Sequence, residues 1–318
     1  MKSKSICLLL YFYVSLFGNS ISAQIAKDTL KVGFYINHIF DIDYKKGTYK
    51  TSMFIWAVSK KKIYELNRYL DFIGQVNYEE YLNHEEMIIR PDSDTLYWSE
   101  IEVMVELLHE YDSKKFPFDT ENIKMNIEFT DDDSDSTVFE IDNTSILNRV
   151  KIPNDWKLSS NPAIQNFITV YPTSFGDPRL RDYKVNTVGI TFKLAREPLG
   201  LFFKIFIAMF ISFLIACCSI FISNDSFEPK FALIVGGLFG TISNKYITDN
   251  ILPESTSLNL SDQLHVVTVL FLLFLTIVTI YENRSKLADN KIYERWIFYS
   301  TLFLYSVVTL ILVVTALP

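Results

Sequence analysis

Steps of three and four residues from Glu228 place Glu228, Ala232, Gly236, Phe239, Ser243, Tyr246 and Asn250 on one face of a helix with 3.6 residues per turn. That face is acidic at one end, small in the middle, and polar or amphipathic at the other. Copies of the chain around a shared axis would turn each position into a ring. A ring of glutamates favours cations, and a ring of Phe239 side chains would be a hydrophobic constriction. Lys230, two residues on, works against the cation preference. A competing reading is that the glycines of this stretch only let helices pack closely in a bundle that conducts nothing. Periodicity does not decide between the two.

Other residue groupings point to less. Asp131-Asp132-Asp133-Ser134-Asp135 offers oxygen ligands but lacks the spaced glycine and terminal glutamate of a calcium loop, so it reads as a solvated turn. His84-Glu85-Glu86 lacks the second histidine that would complete a zinc pair on a helix face. His38, His109 and His265 are isolated in the sequence, and neither a nucleophile elbow nor a phosphate loop is present. The expectation is a protein that is not an enzyme, with no metal site and no cofactor.

The elements that must position the stripe divide the chain in two. Residues 201–318 carry only 7 Lys or Arg and 8 Asp or Glu, whereas residues 24–200 carry 21 basic and 29 acidic residues. The acidic half offers no basic surface for phosphates, which argues against nucleic acid as a partner. Residues 1–23 begin with Lys2 and Lys4, continue with an apolar run from Ile6 to Phe17, and end Ser20-Ile21-Ser22-Ala23. This is the layout of a signal peptide, expected to be cleaved after Ala23, and it places residues 24–200 outside the cytosol. That region contains no cysteine, so packing and backbone hydrogen bonds must hold it.

Between Leu30 and Leu194 short β-forming runs alternate with turn residues. Lys31–Ile36 and Tyr49–Trp56 flank Asp43-Tyr44-Lys45-Lys46-Gly47 as a hairpin, and further strands are expected at Ile101–Leu108, Ile123–Phe129, Asn166–Tyr171 and Asn186–Leu194. The fold class is therefore an all-β sandwich followed by a helical membrane bundle. Ile63–Tyr81 is open between helix and strand. Four spans are expected, at about 201–223, 229–251, 262–281 and 295–317. The second is the most polar of these, holding Asn244, Lys245, Asp249 and Asn250 between Pro229 and Pro253, so its polar groups should face protein or water. The intervening loops fit the positive-inside rule: Lys230, Arg284, Lys286, Lys291 and Arg295 fall on the cytoplasmic side, and the outside loop has only Glu254 and Asp262.

This arrangement resembles the pentameric ligand-gated ion channels, the Cys-loop receptor superfamily, in its prokaryotic cysteine-free branch. Four landmarks carry the resemblance in order: Phe116-Pro117-Phe118-Asp119, Arg196-Glu197-Pro198 before the first span, Leu252-Pro253 after the second, and Ser261-Asp262 opening the third. His109 and Ile123 stand where the signature disulfide would be, and Ser59 falls near the place of a ligand-cage tryptophan. The resemblance implies a homopentamer in the inner membrane with a periplasmic ligand domain, gated by a small molecule or a proton and passing inorganic ions through the bilayer. It implies a coupling region of Asp43, Phe116, Pro117, Phe118, Asp119, Arg196 and Pro253, in which Arg196 pairs with Asp119 in bidentate fashion and also reaches Asp43. Tyr171 and Phe175, in the late hairpin, would contact ligand. The alternative from another class is a non-conducting, membrane-anchored envelope sensor of the same architecture.

Overall fold

The structure, a computed structural model, describes residues 28–62, 65–89, 95–130, 137–176, 178, 182–223, 227–252, 257–284 and 291–317. The leader, the Asp131–Asp135 run and Pro253 lie outside the described residues.

Ten strands come first: β1 (Asp28–Asp43), β2 (Thr48–Ser59), β3 (Leu70–Phe72), β4 (Gln75–Ile89), β5 (Thr95–Leu108), β6 (Thr120–Phe129), β7 (Thr137–Ile141), β8 (Trp156–Leu158), β9 (Ala163–Tyr171) and β10 (Tyr183–Arg196). One sheet has the order β4-β5-β2-β1-β7, and the other runs β3-β6-β10-β8 with β9 also paired to β10. The period-2 pattern of the sequence explains how they meet. Met53, Ile55 and Ala57 of β2 and Ile101, Val103, Val105 and Leu107 of β5 point inward from one sheet. Ile123, Met125 and Ile127 of β6 and Val188, Ile190, Phe192 and Leu194 of β10 point inward from the other, and all share one hydrophobic core. The ambiguous stretch after Lys62 resolves mainly to strand: a single 3-10 turn, Leu66–Tyr69, leads into β3 and β4. At the β1–β2 turn Gly47 has φ +66, a left-handed conformation that glycine adopts without a Cβ penalty, and its carbonyl accepts from the His109 N–H at 2.8 Å.

Four helices follow: α1 (Pro198–Cys217, continued by a 3-10 turn to Phe221), α2 (Phe227–Ile251), α3 (Leu260–Arg284) and α4 (Lys291–Ala316). Proline at the first turn suits a helix start, where its missing N–H would have no partner. Only Glu197 separates β10 from α1, so the last strand feeds directly into the first helix.

Three of the four expected spans are long and apolar enough to cross a membrane: Pro198–Phe221, Leu260–Arg284 and Lys291–Ala316. The expectation of four is corrected to three on this measure. At 25 residues α2 is about 37 Å long, ample for a bilayer, but Glu228, Lys230, Asn244, Lys245, Asp249 and Asn250 make it too polar by composition.

Candidate functional site

The buried residues of α2 are Lys230, Ile234, Gly237, Thr241, Asn244 and Thr248, spaced by alternating steps of four and three along one face. This face packs on α1 and α3. A Cβ built on Gly237 would stand 2.8 Å from the Ala216 Cβ and 2.9 Å from the Ser212 carbonyl oxygen, so α1 approaches α2 only because no side chain is there. Gly240 meets Ser212 in the same way, whereas nothing lies within 4 Å of a Cβ at Gly236. Close packing therefore accounts for two of the three glycines and leaves the third.

The polar groups on this inner face all have specific partners. Lys230 Nζ lies 3.0 Å from Glu282 Oε2 of α3, with both side chains at 3% exposure or less. Thr241 donates to the Gly237 carbonyl, Thr248 to that of Lys245, and Asn244 to the Ile205 carbonyl of α1 at 2.7 Å. Lys230, adjacent to the acidic end of the stripe, thus spends its charge inside the bundle.

All seven stripe residues, Glu228, Ala232, Gly236, Phe239, Ser243, Tyr246 and Asn250, lie on the opposite, exposed face. Phe239 is 66% exposed and Tyr246 72%. Among the described residues, no element of the same chain covers this face along its length. At the C-terminal end of α2, Asn250 Oδ1 accepts from Lys45 Nζ of the β1–β2 turn at 3.2 Å, which ties the β-domain to the last residue of the stripe.

The second cluster sits where the β-domain meets the helices. Arg196 closes β10, its side chain 6% exposed, and pairs with the 2%-exposed Asp119. The contact is made through Nε alone, at 3.0 Å to Oδ1 and 3.3 Å to Oδ2, not by the two-pronged pairing expected. The partner expected in Asp43 is corrected: Nη1 reaches Asp155 Oδ2 at 3.4 Å, while Asp43 is occupied by its own turn. Asp43 accepts from the Lys46 N–H at 2.9 Å and pairs with Lys46 Nζ at 3.3 Å; the backbone bond is the main reason its pKa lies below that of a free aspartate. The guanidinium is enclosed by rings, with centroids 4.1 Å away at Trp156, 4.8 Å at Tyr44 and 5.1 Å at Phe116. Tyr44 donates to Asp119 and, at 3.1 Å, to Glu121, which also faces His109 Nε2 at 3.4 Å. Burial first, and the Asp119 charge next, push the Tyr44 hydroxyl far above its ordinary pKa, so it remains a donor.

The Phe116–Asp119 loop supports this arrangement. Phe116 and Phe118 are buried, the Phe116–Pro117 peptide is cis, and Phe118 meets Phe202 of α1 with ring centroids 5.6 Å apart. The Arg196 N–H donates to the Asp119 carbonyl at 3.2 Å. Strand end, loop and first helix are thereby joined through backbone, charge and aromatic contacts at once.

Tyr171 and Phe175 come together at the β9–β10 hairpin, with ring centroids 5.6 Å apart and Phe175 68% exposed. Tyr183, a residue the sequence reading passed over, completes a trio at 5.6 Å from Phe175 and 6.3 Å from Tyr171. The Tyr171 hydroxyl donates to buried Glu128 at 2.7 Å, which is the main cause of its pKa being pushed up to about 12. The trio offers a partly open aromatic surface with a carboxylate beneath it, a combination suited to a cationic group. Asp155 and Glu128 also escaped the sequence reading, which takes Tyr44 only as a turn residue and Trp156 only as a core or strand-edge residue. For Tyr183 one signal existed: it opens the strand antiparallel to Tyr171, and the two pair directly in register.

Comparison with protein-family models and with curated proteins gives no match for this chain.

Proposed function

We propose that the chain is one subunit of a homopentameric ligand-gated ion channel of the bacterial inner membrane, cation-conducting, with a periplasmic β-domain and its pore lined by α2. The observation that carries this reading is the division of α2 into two faces. Every inner polar group has a partner within the chain, while the seven-residue stripe is exposed along the whole helix. Polar groups facing lipid are costly, and a ring of copies relieves that cost by turning the stripe toward water on a shared axis. In this arrangement α2 is the fourth span, made tolerable to the bilayer by its neighbours and not by its own composition. With Lys230 neutralised by Glu282, Glu228 is left as the exposed charge of the pair at that end, which favours cations.

Ligand binding at the Tyr171, Phe175 and Tyr183 surface of one subunit, against its neighbour, shifts a closed-to-open equilibrium by differential affinity. The shift reaches α2 through Arg196, Asp119 and the Lys45–Asn250 contact. Planar-bilayer recording from purified protein tests the reading. The expected result is a cation current that Glu228→Gln reduces and Phe239→Ala alters, from an assembly whose intact mass is five times that of the subunit.

The sensor reading draws support from Gly237 and Gly240, which serve packing in a bundle whether or not it conducts. Absence of current across a broad ligand and pH screen, with the assembly intact, would decide for it.

A further inference from the structure

His265 lies on α3 and is 4% exposed. Its Nδ1 is 2.7 Å from the Ser261 backbone carbonyl oxygen, and its Nε2 is 3.0 Å from Asn244 Oδ1 on α2. The orientation of the Asn244 amide is fixed by its other end, where Nδ2 donates to the Ile205 carbonyl of α1 at 2.7 Å. Turning the amide round would set its oxygen against that carbonyl. The shorter contact of each ring nitrogen is therefore with an oxygen that can only accept, while the Ser261 hydroxyl, able to donate, stands farther off at 3.5 Å from Nδ1. A neutral imidazole has one N–H and satisfies one of the two acceptors; an imidazolium satisfies both.

We propose that His265 is a proton-binding site inside the helix bundle, its ring carrying both protons in this arrangement, so that the added proton ties α3 to α2 and, through Asn244, to α1. The surroundings bear on the charge from every side. The charged groups nearest the ring are Lys245 and Asp249 on α2 and Asp262 in the first turn of α3. Lys245 pairs with both Asp249 and Asp262, so the trio carries one net negative charge. From α1 the ring meets Phe206, with centroids 6.0 Å apart. Ser261 Oγ, at 3.5 Å from Nδ1, adds another oxygen. Burial beside Phe206 opposes a charged ring, and the two acceptors favour it. When the proton leaves, a bare Nε2 faces Asn244 Oδ1, two acceptors in contact, and the tie between α2 and α3 is lost.

The test uses the full chain in lipid nanodiscs with isotopically labelled histidine, reading ring-nitrogen protonation by NMR from about pH 4 to about pH 9, a range that brackets free imidazole. His265→Gln assigns the signal among the four histidines. The expected result is that both nitrogens of His265 are protonated at the acid end. Asn244→Leu, which removes the acceptor at similar size, should lower the proton affinity by at least about tenfold, and Asn244→Asp should raise it. A ring with one bare nitrogen across the whole range overturns the proposal, as does an affinity unmoved by both substitutions. Conductance plays no part in this readout, so a failed proton site and a failed pore are told apart.

Discussion

The two faces of α2 are built by opposite rules from one stretch of chain. On the inner face each polar group is matched to a named acceptor or counter-charge, and Gly237 and Gly240 give up side chains so that α1 can approach. On the outer face large and small, polar and aromatic residues alternate, and among the described residues no element of the same chain covers them along the helix. The difference teaches that a helix too polar to enter a bilayer by composition can have its polar groups satisfied one by one where it touches its own bundle. The groups it leaves exposed are gathered on the other side.

Substitutions that distinguish the faces should differ in size and in sign. The largest effect is expected from Lys230→Met, which strands the Glu282 carboxylate in the bundle, where its Oε1 already has no hydrogen-bond partner among the described residues. Breaking one side of a buried pair costs about 3–5 kcal/mol, and adding Glu282→Leu should recover most of it; thermal unfolding of the solubilised protein compares the three. Next comes a single change made at two adjacent glycines. Gly237→Ala drives a methyl group into Ala216 and the Ser212 backbone, and overpacking of this kind costs about 1–3 kcal/mol. Gly236→Ala meets open space and should instead stabilise by up to about 1 kcal/mol, because alanine is the better helix former. The same unfolding assay should move in opposite directions for the two. The smallest effect on folding is expected for Ser243→Cys on the outer face, within about 0.5 kcal/mol. That variant sharpens the comparison differently: a water-borne thiol reagent should label it in the membrane, and a failure to label in every state would remove the water-facing stripe.

Much of this contrast was legible in the sequence, and the reasons are specific. The stripe from Glu228 to Asn250 follows from a 3.6-residue period, and the inward residues of β2, β5, β6 and β10 follow from a period of two, both local properties of the chain. The Arg196–Asp119 pair came with the family resemblance, since 77 residues separate its members. What local pattern does not carry is the identity of distant partners. Glu282 lies 52 residues from Lys230, and Asn244 lies 21 from His265, which therefore looked isolated. Asp43 was misassigned as a partner of Arg196 because a turn aspartate's nearest donor is its own loop, here the Lys46 N–H. The fourth span rests in the sequence on an apolar first half between Pro229 and Pro253, whereas the helix as a whole falls short of the apolar measure that the other three meet.

The passage from β10 to α1 through Glu197 alone leaves no slack between sheet and bundle. Strand and helix act there as a single lever with its fulcrum at the ring-enclosed guanidinium. A twist of the sheet has only the two soft torsions of Glu197 and the contacts around Arg196 through which to reach the helix.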